Sequence, residues 1–213
     1  MSRQKLKKFA ELDKFANVAQ FNRPDIKNKL NDFLLGKHQI ILELGCGRGE
    51  YSLALAKKEK TAKIVSIDIQ GERLWAGARQ AQIEKLDNIL FLRIQIEDLL
   101  EYFFPKSITE IWITFPDPYP RDKQIKKRLT SPRFLDVYKK ILINNAVLHL
   151  KTDDLNLFDY SIESIINHKG KIIKKIKNIY KAKNIPKILK IKTEFEKKHL
   201  KAGKTINYLK FSL

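Results

Sequence analysis

Short apolar runs, each followed by a stretch of helical periodicity, constrain this chain more than any other feature. Gln39–Leu44, Lys63–Ile69, Ile89–Ile96, Ile108–Phe115 and Ala146–Leu150 read as buried strands. Between them lie a helical pattern from Leu53 toward Thr61, and the amphipathic segments Gly71–Leu86 and Arg133–Ile143. Leu155–Asn167 is a further helix, and Lys171–Tyr180 and Ile206–Leu213 suit two more strands. Strands that alternate with helices imply right-handed crossovers and an α/β fold, a mostly parallel sheet with helices on both faces. In such a sheet a ligand sits beyond the carboxyl ends of the strands. The segment Glu43–Gly49, Asp68, Gln95 and Asp117 all fall at or just after those ends.

The composition narrows the partners. The 213 residues are 43% hydrophobic and 10% aromatic, enough to bury a core, which excludes a disordered basic tail. No apolar run approaches the ~18 residues of a membrane span. The first residues carry charges without the apolar stretch of a secretory signal, so a cytoplasmic location is expected. The single Cys46 forbids an internal disulfide and fits a reducing compartment. A formal charge of +19 points to a polyanionic partner. That charge is uneven. Residues 39–120 are slightly acidic, with ten basic and twelve acidic side chains. Residues 121–140 hold eight basic and two acidic side chains, and 169–213 hold fifteen lysines and two glutamates. Lysine-rich coding bias accounts for part of the second excess. It accounts less well for the first, which follows a proline-rich loop.

Gly45-x-Gly47-x-Gly49 lets the backbone approach a ligand closely. It has neither the dinucleotide spacing nor the Lys-Ser/Thr of a P-loop. Glu43, beside the loop, would repel a pyrophosphate and suits a cation such as the sulfonium or ammonium of S-adenosyl-L-methionine. Asp68 suits either the two ribose hydroxyls or a helix cap. Gln95 and Ile96 suit an adenine edge and face. Cys46 has no base placed for it and reads as a small residue in a tight turn. The four histidines, His38, His149, His168 and His199, are scattered without ligand spacing, which argues against a zinc site.

Phe115-Pro116-Asp117-Pro118-Tyr119-Pro120-Arg121 follows the fourth strand, its three prolines stiffening the turn around one carboxylate. Lys123, Lys126, Lys127 and Arg128 come next, spaced for phosphate contacts. With these residues in view, the chain resembles the bacterial tRNA (guanine-N7-)-methyltransferases. The resemblance rests on Glu43-Leu44-Gly45-Cys46-Gly47-Arg48-Gly49, on the Asp117 loop, on Leu150-Lys151-Thr152-Asp153 and on Thr193-Glu194-Phe195-Glu196-Lys197. Tyr119 stands where the family usually has Trp, Arg121 where it has Lys, and Gln95-Ile96 where an acidic residue or Asn precedes Ala.

The resemblance implies a Rossmann-like class I methyltransferase fold, S-adenosyl-L-methionine as donor, and methylation at N7 of the guanine at position 46 in the tRNA variable loop. It implies donor binding by Glu43, Gly45, Gly47, Asp68, Gln95 and Asp117, with Asp117 the catalytic residue. Arg121, Asp153, Thr193 and Glu196 would meet the tRNA or its guanine. Guanine offers adjacent N1–H and N2–H₂ donors, which an ionised Glu196 or Asp153 could accept; Tyr119 or Phe195 offers a stacking face. Asp153 as a helix cap and Glu196 as a surface charge are the plain alternatives. The expected organisation is a basic N-terminal extension over 1–38 and a methyltransferase domain over 39–213. That domain carries a tRNA-binding insert at about 116–132 and a Lys-rich C-terminal segment, in which 181–192 is a candidate mobile loop. The expected partner is tRNA, with no membrane and no obligatory protein partner, as a monomer or homodimer. Two rivals stay open: an RNA-binding protein that has lost its cofactor, and a nicotinamide-dependent oxidoreductase, which the loop spacing and Glu43 disfavour.

Overall fold

A computed structural model describes residues 3–213. The chain divides into two compact units, Met1–Phe103 and Phe104–Leu213. In chain order the first unit contains α1 (Arg3–Leu12), β1 (Val18–Gln20), α2 (Ile26–Leu34), β2 (Ile40–Leu44), α3 (Glu50–Lys58) and β3 (Lys63–Ile67). It continues with α4 (Gly71–Ile83), β4 (Ile89–Arg93) and the single-turn α5 (Leu99–Tyr102). The second contains β5 (Ile108–Thr114), α6 (Pro132–Ile141), β6 (Leu142–Thr152), α7 (Leu155–Asn167), β7 (Lys171–Ile176), α8 (Glu194–Lys201) and β8 (Asn207–Ser212).

In unit 1 the strands run in the order β1-β4-β3-β2, all parallel. All five residues of β2 are buried, as are Ile64–Ile67 of β3 and Ile89–Leu92 of β4. Strands covered on both faces have no polar side, which is why they read as unbroken apolar runs. The register pairs Leu44 with Ile67 and Ile67 with Leu92, so the three strands end together. Their exits form one rim: the glycine loop, Asp68 and Gln95.

The parallel edge strand β1 lies within the first 38 residues and pairs Val18 with Phe91. Its attachment is reinforced by Arg93, whose guanidinium lies between the rings of Phe9 and Phe21, at 4.9 and 5.0 Å. The same side chain donates to the Ile69 carbonyl at 3.1 Å and to Gln20 Oε1 at 3.2 Å. This part of the charged N-terminal stretch is thereby tied to the rim.

In unit 2 the order is β5-β6-β8-β7. β5 and β6 are parallel, while β8 runs antiparallel to both β6 and β7. α6 opens with Pro132 in its first turn, where a missing N–H costs nothing, and buries Phe134, Leu135, Tyr138 and Ile141 at helical spacing. α7 is capped by Asp154, whose Oδ1 accepts the Leu157 N–H at 2.7 Å. The cap is therefore Asp154, not Asp153. Within the segment 181–192, Leu189 is fully buried in a short 3-10 turn, Lys187–Lys190.

Candidate active site

The rim of unit 1 brings together Glu43, the glycine loop and Asp68. Gly45 and Gly47 have φ of +68° and +56°, a region that penalises any Cβ. A Cβ built on either meets no atom within 4 Å, so the space beside both glycines is open. Gly49 and Gly77 serve differently: a Cβ there would approach the Phe91 ring to 2.5 and 2.6 Å, so both permit close packing of α4 and β4 on the loop.

Asp68 is largely buried and held by two backbone groups. Its Oδ2 accepts the Gly47 N–H at 2.9 Å and its Oδ1 the Gln70 N–H at 2.8 Å. It thus fixes the loop and the entry to α4 together, and each oxygen retains acceptor capacity. Glu43 is buried beneath the loop and accepts the Ser52 N–H at 2.9 Å, and the Ser52 hydroxyl as well. The N-cap of α3 is Gly49, which has no side chain to satisfy the first turn, and Glu43 supplies that acceptor.

Cys46 is buried between these carboxylates. Burial, with Glu43 and Asp68 adding to it, pushes its thiol well above the ordinary range, so it stays protonated and inert. Gln95 stands exposed at the end of β4, its carbonyl accepting the Asp98 N–H at 3.1 Å as a 3-10 turn begins. Ile96 and Ile69 flank this exit as partly exposed apolar side chains. Two carboxylates, open space over the glycines and flanking apolar surface fit a cationic, nucleoside-bearing ligand.

The unit 2 cluster lies at the carboxyl ends of β5 and β6. Phe115 and Tyr119, which bracket Asp117, both adopt left-handed φ, +51° and +42°, uncommon and strained for bulky residues. The strain is held by Arg128. This residue is buried; its Nε donates to the Pro118 carbonyl at 2.9 Å and its Nη2 to the Tyr119 carbonyl at 3.0 Å. Its guanidinium also lies over the Tyr160 ring at 4.4 Å. Arg128 is therefore a staple of the loop and not a phosphate contact, correcting the expectation from spacing. Lys123, Lys126 and Lys127 are exposed, as are Asp117 and Arg121.

The two remaining motifs meet through a buried ion pair. Lys151 and Glu196 have fully buried side chains, and Lys151 Nζ lies 2.9 Å from Glu196 Oε2. The same ammonium donates to the carbonyls of Leu189 and Ile191, at 3.3 and 3.1 Å, and lies 5.6 Å from the centre of the Phe115 ring. Tyr180 donates its hydroxyl to Glu196 Oε1 at 2.6 Å, and its own ionisation is pushed up by burial and by that carboxylate. Thr193 Oγ1 accepts the Glu196 N–H at 3.1 Å and caps α8. So Glu196 is not a surface charge, and in this structure both its oxygens are engaged by the protein.

Asp153 is the carboxylate left at the edge of this cluster. Its side chain is 10% exposed, and two side chains beside it approach the same oxygen: Lys204 Nζ at 2.6 Å and His199 Nδ1 at 2.9 Å from Oδ2. Phe195 stacks on His199 with ring centres 4.0 Å apart and tilts against Phe115 at 5.3 Å. Half-exposed Phe195 and Asp153 thus sit on either side of one histidine. Sequence reading missed Tyr180, His199, Lys204 and the clamp role of Lys151. For α8 itself there was a signal, because Thr193-x-x-Glu196 has the spacing of a capping box.

Comparison with known proteins follows the same lines. A family model described as a putative methyltransferase matches residues 37–209. A protein of Christiangramia forsetii named tRNA (guanine-N(7)-)-methyltransferase is 40% identical over 100% of this chain and 99% of its own length. One of Bacteroides fragilis with the same name is 36% identical over 100% of this chain and 87% of its own. Among solved structures, the 16S rRNA methyltransferase KamB superposes with a TM-score of 0.66 at 12% identity, covering 87% of this chain and 93% of that one. A SAM-dependent methyltransferase from Aquifex aeolicus superposes with a TM-score of 0.56 at 13% identity, covering 96% and 98%. At these identities the two structures speak to the fold alone.

Proposed function

This chain belongs to the tRNA (guanine-N7-)-methyltransferase family, and from that premise we propose that it methylates N7 of a guanine in tRNA, at position 46 of the variable loop, with S-adenosyl-L-methionine as donor. The observation that carries the reading is the unit 1 rim. There two buried carboxylates, held by N–H groups and a serine hydroxyl, border open space over Gly45 and Gly47. Among the described residues the partners of Asp68 are backbone N–H groups, so its negative charge is retained and suits a cationic ligand. Asp68 is the residue to hold ribose hydroxyls, Gln95 and Ile96 to meet adenine, and Glu43 to hold the loop to α3 while facing the positive charge. When bound, the donor supplies a methyl group on a sulfonium, an electrophile that needs no metal.

Guanine N7 is a lone pair without a proton, so the chain has no need of a strong base. Its own work is alignment, which contributes up to about 7–11 kcal/mol in well-oriented systems. A fixed carboxylate near the charge that develops on the purine supplies electrostatic help. Asp117, in a strained turn pinned by Arg128 and three prolines, suits that role. Asp153 is the carboxylate with an oxygen left to receive guanine donors, where adenine would leave it unpaired. Phe195 offers the stacking face. Arg121 and the exposed lysines of 123–127 suit phosphates, and Thr193 and Glu196 support the recognition surface by fixing α8.

The test is methyl transfer from labelled donor to unmodified tRNA transcripts, followed by mapping of the product nucleoside. 7-Methylguanosine at one variable-loop position is the expected result. Label in another base, or none on tRNA despite donor binding, contradicts the reading.

A further inference from the structure

We propose that the edge strand β7 and the segment continuing from it form a phosphate track for the substrate tRNA, laid beside the cluster of unit 2. The proposal rests on the reading of this chain as a tRNA methyltransferase and names the surface that seats the RNA backbone. From Lys169 to Lys192 the chain holds ten lysines and no acidic residue. Among the described residues none of the ten forms an ion pair, whereas Lys57, Lys197 and Lys204 elsewhere each meet a carboxylate. Ten like charges without counter-charges repel one another, and a polyanion is the partner that relieves that repulsion.

The register aims this charge. Ile176 lies opposite Tyr208, and Tyr208 opposite Lys151, so the carboxyl end of β7 is level with the strand end that leads to Thr152 and Asp153. It stands two strands away, roughly 10 Å at ordinary strand spacing. Lys174 is level with Lys210 and His149, and Lys171 with Ser212. The register shift between Ile172 and Lys174 inserts one residue, and this has a chemical consequence. Three positions apart, Lys171 and Lys174 belong on opposite faces of a regular strand. With the extra residue they share the face of Lys210, while Ile172 turns to pair with buried Phe211. Lys175 and Lys177 are exposed at the end nearest the cluster. Lys175, paired with Leu209, lies on the opposite face from Lys174, so the four lysines flank this edge of the sheet from both faces; from Lys171 to Lys177 they span about 20 Å, several nucleotide steps of a strand.

Lysines and a bulge on an edge strand also prevent pairing with another sheet, and the experiment separates the two roles. Lys171, Lys174, Lys175 and Lys177 are replaced together by Gln, and binding of an unmodified tRNA transcript is followed by fluorescence anisotropy across a salt series. Methyl transfer is measured beside it. The track predicts that the slope of log affinity against log salt falls by about three, and that KM for tRNA rises at least about tenfold while kcat at saturating tRNA is kept. A second variant, with Lys181, Lys183, Lys187 and Lys190 as Gln, is expected to act in the same direction and serves if the first does not fold. An unchanged slope and KM in both overturn the proposal, and unchanged binding with new oligomers assigns the lysines to edge protection. Wild-type protein that methylates no tRNA overturns the functional reading instead, and the track is then judged on the slope alone.

Discussion

Glu43 and Asp68 in unit 1 are met by backbone N–H groups and a serine hydroxyl, whereas Glu196 and Asp153 in unit 2 each meet a lysine ammonium. Dipolar partners fix a carboxylate and leave its charge in place. Cationic partners fix it and cancel the charge. Asp68 therefore keeps a negative charge at the unit 1 rim that suits a sulfonium-bearing donor, while the charges of Glu196 and Asp153 in unit 2 are offset by lysines and repel an approaching phosphate backbone less. The same residue type serves both, and the neighbours decide which ligand it can face.

The largest effect that sharpens this contrast is on stability. Lys151→Met strands the buried Glu196 charge with Tyr180 as its remaining side-chain partner among the described residues, and is expected to cost about 3–5 kcal/mol in chemical denaturation. Replacing both residues by Met removes the unpaired charge and is expected to restore most of that loss. If the single variant is as stable as the wild type, cancellation by Lys151 is not what holds α8.

Smaller is the effect on rate at Asp117. Because this residue is exposed, Asp117→Asn is expected to leave the melting temperature unchanged, and to lower kcat by about 10²–10³, the usual size for one lost electrostatic contact. Near-normal turnover would remove Asp117 from the chemistry. The smallest effect belongs to Cys46. Its thiol is pushed up by burial, so at neutral pH it stays protonated. Cys46→Ala is expected to keep transfer within about twofold, and iodoacetamide to label the native protein far more slowly than the unfolded chain. Rapid labelling at neutral pH would contradict the buried, neutral thiol.

How much of this was legible depends on what each element buries. β2 to β5, α4, α6 and α7 announce themselves because their buried faces are apolar at the period of their structure. The apolar run predicts a fifth strand over Ala146–Leu150, whereas β6 begins at Leu142; the exposed Ile143, Asn144 and Asn145 break the run and hide its start. β1 has three residues, and α2 buries only Ile26 and Leu30, too few points to set a period. α8 is the instructive case, since its one buried side chain is Glu196. Hydropathy cannot see a helix anchored by a carboxylate, although its Thr cap was visible.

The candidate site divides in the same way. Glycines and strand-end carboxylates could be found by position along the chain. The clamp of Lys151 on Leu189, Ile191 and Glu196 joins residues about forty positions apart, and no local pattern encodes it. Arg128 looked like its lysine neighbours because charge spacing does not tell a guanidinium turned inward onto two carbonyls from one turned to solvent.

Labour is divided between the carboxylates in this reading, those of unit 1 binding the donor and those of unit 2 recognising guanine. Calorimetric titration of S-adenosyl-L-methionine into Asp68→Asn and Asp153→Asn proteins, alongside transfer to tRNA, tests it most directly. Asp68→Asn is expected to lose donor affinity, while Asp153→Asn is expected to bind donor as the wild type does and to fail in transfer. Wild-type donor affinity in Asp68→Asn, or its loss in Asp153→Asn, would contradict it.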